Sequence, residues 1–417
     1  MNAIAQRTFA ALRFRNYRLY VASQLVSFSG TWMQALAQSW LVLELTGSGT
    51  ALGTLLAFQF LPTLFLAPLG GLVADRFDKR RVLIGTQSFA GLLALTLGGL
   101  TMSGVVELWM VYLIAVGFGV NTALDNPTRQ VFVMQMVGPE YITNAVTLNS
   151  VTVNAARAVG PAIGGVLIAT LGIAECFIVN GFSYLAVIAA MILIDRSQLH
   201  PTPLIPRESG QLRQGMRYAW STPALRTTLV ILAMVGLFLF EFNVTLPLLA
   251  DHTFAVGATG LAVMETLFGA GAVLGGLAVA SAGQPTARRL VFVCAASGAS
   301  VLALSIAPHV AVAYAVVPFV GAFSIATIAV GNATLQLNSA PHLRGRVMAL
   351  FSVAVMGTTP IGGPIVGWIG EHIDPRAAVA LGGLAGLAAA GFGWFQAERK
   401  RVFPPATALV GAPAAGQ

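Results

Sequence analysis

Apolar runs of about twenty residues recur along the whole chain, and that is the length a helix needs to cross a bilayer. Twelve fall at about 19–44, 51–73, 82–102, 108–125, 146–170, 174–194, 227–250, 258–282, 289–307, 310–335, 346–369 and 377–396. Only 9% of residues are charged against 56% hydrophobic, with a mean hydropathy of +0.80, whereas soluble domains carry about 25% charged residues. So few charges cannot cover a wet surface, so lipid must be the main solvent. Open sheets cannot span hydrocarbon, and barrel strands would read as short alternating segments. The chain therefore reads as an all-α membrane protein with twelve transmembrane helices.

The basic residues orient it. With both termini in the cytoplasm, 21 of the 23 Lys and Arg fall on that side. They are Arg7, Arg13, Arg15 and Arg18, the cluster at 76–81, Arg129, and Arg196, Arg207, Arg213, Arg217 and Arg226, followed by Arg288, Arg289, Arg344, Arg346, Arg399, Lys400 and Arg401. Arg376 alone faces out, and Arg157 lies within a span. This is the positive-inside asymmetry, and it accounts for the net charge of +8. Nucleic-acid binding would need a concentrated patch with a reading module, and none is visible. The first apolar run is too long for a signal-peptide core, so it reads as a retained anchor. Cys176 and Cys294 have no metal or redox spacing and read as packing residues.

The chain also repeats itself. Shifting the second half back by 202 residues aligns Pro139 with Pro341, Leu148 with Leu350, Ser150 with Ser352, Gly160 with Gly362 and Gly165 with Gly367. A half-chain period implies two parallel six-helix repeats about an axis along the membrane normal. The expected units are bundles at 1–194 and 226–397, a cytoplasmic linker at 195–225 and a cytoplasmic tail at 398–417.

Several stretches carry a resemblance. "GLVADRFDKRR" at 71–81 resembles the signature loop of the major facilitator superfamily at Gly71, Asp75, Arg76, Lys79 and Arg80, with Asp78 where that family usually has glycine. "GPAIGG" at 160–165 resembles the superfamily's antiporter signature, although Ala156 stands where a further glycine is usual. "GTWMQALAQSWLVLELTGS" and "ALDNPTRQVFV" are similar to the branch of enterobactin-type siderophore exporters and macrolide and multidrug efflux pumps. The resemblance implies two pseudo-symmetric six-helix bundles working by alternating access. It also implies a monomer without cofactors in the cytoplasmic (inner) membrane, exporting small amphipathic molecules such as drugs or siderophores against protons. Helices one, four, seven and ten would line the cavity, and helix five would abut helix eight.

The residues support their own reading. A carboxylate at position 75 can bond the positive N-terminal end of another helix, which the resemblance identifies as helix eleven near Arg346. The loop is then a conformational latch, or else a topology anchor by charge alone. Gly160, Pro161, Gly164 and Gly165 form a small-residue ridge, either ordinary packing or a hinge seam between halves. Thr31, Gln34 and Gln38 on helix one, Asn121 on helix four and Thr245 on helix seven are cavity candidates or interhelical hydrogen-bonders. Asp125 is expected to cap or pair locally with Arg129. Glu44 and Glu175 lie where they can snorkel to the interface.

Arg157, Glu241 and Glu265 are the costly charges within the membrane. Arg157 is expected to pair with Glu265 or Glu241, in a proton-coupling role or as a static bridge. No nucleophile triad, metal cluster or phosphate loop appears, so the chain reads as no enzyme, driven by an ion gradient rather than ATP. An uptake symporter or facilitator of the same fold is the alternative, and a lipid-modifying membrane enzyme a remote one.

Overall fold

The computed structural model describes residues 10–200, 211–283, 285–340 and 343–398. Arg7, Arg207, Pro341, Arg399, Lys400, Arg401 and the tail beyond lie outside the described residues. Among those described, all regular structure is helical. The long helices are α1 Arg15–Thr46, α2 Gly49–Arg76, α3 Lys79–Met102, α4 Leu108–Val137, α5 Ile142–Thr170 and α6 Ile173–Leu193. After a linker helix, Gln211–Ser221, come α7 Pro223–Thr253, α8 Gly257–Ser281, α9 Ala287–Ser305, α10 Val310–Leu337, α11 Arg344–His372 and α12 Pro375–Glu398.

Eleven of these are long and apolar enough to cross a membrane, and α1 is not among them. It has the length, 32 residues, but its serines and glutamines lower its hydropathy. Local chemistry sets the boundaries. Gly47, at φ 62°, closes α1 in the left-handed region that glycine enters without a Cβ penalty. Ser48 then caps α2 by accepting from the Ala51 amide at 3.1 Å. Asp78 caps α3 by accepting from the Arg81 amide at 2.9 Å, which gives a local reason for an aspartate where the family has glycine.

Two helices are broken. α7 runs from Pro223 to Phe238 and resumes at Phe242, with Glu241 at the start of the second piece. α11 runs from Arg344 to Val355 and resumes at Thr359. Pro360 is the second residue of that piece, in the first turn where its missing N–H leaves no extra carbonyl unpaired. The breaks face each other, since a Cβ on Gly236 would lie 2.5 Å from the Ala354 carbonyl and 2.8 Å from Thr358 Oγ1.

Packing repeats six helices later. α2 packs on α4 as α8 does on α10, α3 on α6 as α9 on α12, and α1 on α5 and α6 as α7 on α11 and α12. The two bundles meet at α2–α11 and at α5–α8, a pair of seams that the same rotation exchanges. Contact between α2 and α11 is carried by Thr359–His372, while Arg344–Val355 packs on α7, α10 and the linker helix. The bundles are therefore joined along the half bearing the Gly47–Ser48 turn, called the outer end here after the basic-residue asymmetry. Large apolar side chains such as Leu92, Leu113, Phe182 and Phe292 are exposed, as a lipid-covered surface requires.

Candidate functional site

Arg157 sits halfway along α5, at the α5–α8 seam. A Cβ on Gly269 of α8 would lie 2.8 Å from the Arg157 carbonyl and 2.7 Å from Ala158 Cα, so only glycine permits this approach. The guanidinium lies 4.7 Å from the ring centroid of Trp32 on α1 and 4.7 Å from that of Phe268 on α8. One aromatic from each bundle thus clamps it. Cation–π contacts at a half-buried site contribute about 1–2 kcal/mol each. Arg157 and Glu265 line one cavity of about 20 Å³ with Pro161, Phe242, Asn243 and Leu246. The expected direct ion pair is not formed: among the described residues no carboxylate lies within 4 Å of Arg157. Two rings, which sequence spacing could not place, lie beside it instead.

Glu241 does not approach Arg157 either. It is 1% exposed, and the break in α7 turns it toward α11. A Cβ on Gly362 would lie 3.2 Å from Glu241 Oε1, and one on Gly363 3.5 Å from Oε2. Thr359 is its polar neighbour on α11, yet Oε1 has no hydrogen-bond partner. Immediately beyond lies the α2–α11 seam, where a Cβ on Gly363 would stand 3.1 Å from the Gly53 carbonyl. A clasp closes the outer end of this seam: Ser48 Oγ and the Thr50 amide donate to Glu371 Oε2 at 2.6 and 2.9 Å. Sequence reasoning missed Gly53, Gly363 and Glu371. The aligned glycines of the repeat were the one available signal.

The remaining candidates scatter. Gln34 is buried in the α1–α6 interface and accepts from Asn180 Nδ2 at 2.6 Å, an interhelical bond within one bundle. Thr31 is exposed and bonds its own helix at the Ser27 carbonyl, 2.9 Å away. Gln38 and Asn121 are buried, with Gln38 Nε2 and Asn121 Oδ1 unpartnered. Thr245 donates to the Glu241 carbonyl, one turn into the second piece of α7, at 3.2 Å.

The glycine ridge divides. Gly160 would meet Ser29 and Trp32 of α1, and Gly164 would meet Met33 of α1, whereas Gly165 faces Ala262 of α8 with a Cβ only 2.5 Å away. Gly160 and Gly164 therefore pack inside the first bundle, and Gly165 belongs to the seam. Four residues return a helix nearly to the same face, which groups Gly160 with Gly164, and seven return Gly165 to the face of Ala158.

In the 71–81 loop, Arg80 donates to the carbonyls of Met191 and, at 2.9 Å, Ile192. It thus caps the negative C-terminal end of α6. Lys79 Nζ reaches the Asp75 carbonyl at 3.5 Å. Asp75 is half-buried and engaged, Gly71 is half-buried, and Arg76 is exposed. Asp125 pairs with Arg129 and also accepts from Thr86 Oγ1 at 2.8 Å and Gln87 Nε2 at 2.9 Å. Arg129 donates onward to Gln24 of α1. The local pair is thus the core of a network tying α1, α3 and α4. Its partners Gln24, Thr86 and Gln87 carried no signal beyond the i,i+4 acid and base.

Comparison with known proteins fits this geometry. The transmembrane secretion effector family (MFS_3) matches residues 6–401. This chain belongs to that family of major facilitator transporters. Among its relatives, the multidrug efflux pump Tap of Mycobacterium tuberculosis (strain ATCC 25618 / H37Rv) is 28% identical over 375 residues, 85% of this chain and 88% of that one. The MFS-type transporter YfiS of Bacillus subtilis (strain 168) is 26% identical over 276 residues, 61% of this chain and 65% of its own length. A bacterial homologue of the human lysosomal transporter Spinster, in an inward-facing and occupied conformation, superposes with a TM-score of 0.71 at 13% identity. That match covers 94% of this chain and 99% of the other. The protein is a multi-pass transporter and not an enzyme.

Proposed function

We propose that this protein is a proton-coupled exporter of small amphipathic molecules, drugs among them, working by alternating access in the cytoplasmic (inner) membrane. One observation carries the reading. A half-buried arginine lies against aromatics of opposite bundles, and a carboxylate shares its cavity at the seam where rocking must occur. In this reading α1 is the twelfth span, its polar stripe sheltered by α5 and α6, and both termini are cytoplasmic. The bundles 1–194 and 226–397 move as bodies about the seams, joined by the 195–225 linker. The protein works as a monomer without a cofactor. The relative named as a multidrug efflux pump supports export over uptake.

Protonation of Glu265 removes the negative charge beside the guanidinium, and deprotonation restores it. An anionic or π-rich substrate competes for the same clamp, which links the two transport events. Everted membrane vesicles test this with ethidium as the probe. Acidifying the interior should drive dye accumulation in vesicles carrying the protein and not in vesicles lacking it. Equal accumulation in both would refute the export reading.

The signature loop belongs to the same cycle as a latch at the inner end, engaged when the α11 N-terminus swings toward α2. Asp75→Asn removes the charge and keeps the shape, so it weakens the latch by about 1–3 kcal/mol while the protein still folds and inserts. Transport by the purified variant is expected to fall about five- to a hundredfold. Unchanged transport would leave the loop as an anchor only.

A further inference from the structure

The outer gate holds a carboxyl group for which its surroundings provide no counter-charge. Glu241 is buried at the α7 break, against Gly362 and Gly363 of α11 and directly behind their contact with Gly53 of α2. The helices packed around α7 carry few charges. They are Arg344, Arg346, Glu371 and His372 on α11, Asp75 and Arg76 on α2, and Arg15, Arg18 and Glu44 on α1. Glu265 on α8, Arg376 and Glu398 on α12, and Arg213 and Arg217 on the linker helix follow, α7 itself adds Arg226, Asp251 and His252, and α10 has none among the described residues. Among the described residues none forms an ion pair with Glu241, whose polar neighbour is the Thr359 hydroxyl and whose Oε1 accepts no hydrogen bond. A bare carboxylate is intolerable in such a place. When the seam is shut, the group must be neutral.

We propose that Glu241 is the proton-binding site of the outer gate: the α2–α11 seam closes only after this carboxyl has taken a proton from the outer side. The inference rests on the proton-coupled reading for its place in the cycle, and it adds a site distinct from the Arg157–Glu265 cavity. In the outward-open state the seam parts, Glu241 meets water and ionises. Closing would strip that water from a charge, so closure waits for the proton. The break in α7 is what makes the site. Its neighbours Phe242 and Asn243 line the Arg157 cavity, so one irregular turn touches both seams. Glu371, at the exposed rim, works with the opposite sign. It accepts from Ser48 and Thr50, and protonating it would weaken closure.

Distance measurements between spin labels test the proposal. Labels go on Leu45→Cys and Ile373→Cys, both exposed near the outer ends of α1 and α11, with Cys176 and Cys294 replaced by alanine. In nanodiscs without substrate, lowering the pH should shift the parent protein from a long to a short distance. Glu241→Gln, which mimics the protonated group, should hold the short distance at every pH, with unchanged monodispersity showing that it folds. Glu265→Gln and Glu371→Gln should each keep a pH-dependent shift. A parent distance independent of pH would overturn the proposal, as would a full pH response in Glu241→Gln or a shift that follows sodium at fixed pH. If the gate responds as expected while transport proves uncoupled from protons, the coupled-export reading fails and the gate site stands.

Discussion

Arg157→Gln is expected to reduce proton-driven efflux by about 30- to 1,000-fold, the loss that follows from removing two half-buried cation–π contacts of about 1–2 kcal/mol each. The guanidinium is held between Trp32 and Phe268, one from each bundle, so it senses their relative position. Glutamine fits the space and keeps hydrogen bonding but cannot stack as a cation. Arg157→Lys separates charge from shape. It keeps the charge but loses the planar face that two rings can grip, so its efflux should fall between the parent and Arg157→Gln. Glu265→Gln should likewise abolish the dependence of efflux on the proton gradient while ethidium binding stays measurable. Efflux in everted vesicles and dye binding to purified protein check all three. Arg157→Gln with parental efflux would remove the clamp from the mechanism.

Gly53→Val is expected to stop transport altogether by wedging the outer seam open. Along this seam the α2 and α11 backbones approach at Gly49 with Gly367 and at Gly53 with Gly363, and a Cβ on either glycine of α2 would overlap the α11 backbone. Valine adds two methyl groups beyond that Cβ, and overpacking of a tight contact costs about 1–3 kcal/mol even where neighbours can yield. Here the neighbour is backbone, so the bundles must separate rather than a side chain rotate. Nothing else in the first bundle depends on this contact, so the variant should insert and remain monodisperse. A cysteine facing the seam from α2, such as Thr50→Cys, should become reactive to an impermeant maleimide in the Gly53→Val background and stay protected in the parent. Normal transport by Gly53→Val would mean that the seam does not close during the cycle.

How much of this was legible in the sequence depends on what each residue's task required. Long apolar runs and the 202-residue repeat are properties of whole segments, and the helices and their packing follow them closely. α1 shows the limit. Its glutamines, expected as cavity candidates or interhelical hydrogen-bonders, drop it below span hydropathy together with its serines, and Gln34 serves the α1–α6 interface. Helical spacing tells which residues share a face but not which neighbour that face meets. The glycine ridge divided between α1 and α8 for the same reason.

The break at Glu241 was invisible because no proline or glycine marks positions 239–241. It depends instead on packing against the broken α11. Arg157 was conspicuous as a charge in a membrane helix, but its partners come from helices far apart in sequence. A search for an opposite charge passed over Trp32 and Phe268, which look like ordinary lipid-facing aromatics in the linear chain. Gly53, Gly363 and Glu371 became meaningful only when the fold brought α2 and α11 together.

Proton flux in reconstituted liposomes tests the central claim most directly. Purified protein is incorporated with a pH-sensitive dye trapped inside, and an ethidium gradient is imposed with no initial pH difference. Coupled export requires that ethidium moving one way through the protein drives protons the other way, at a rate that Glu265→Gln abolishes. Proton movement in the same direction as the dye, or dye movement with no proton flux, would contradict the account.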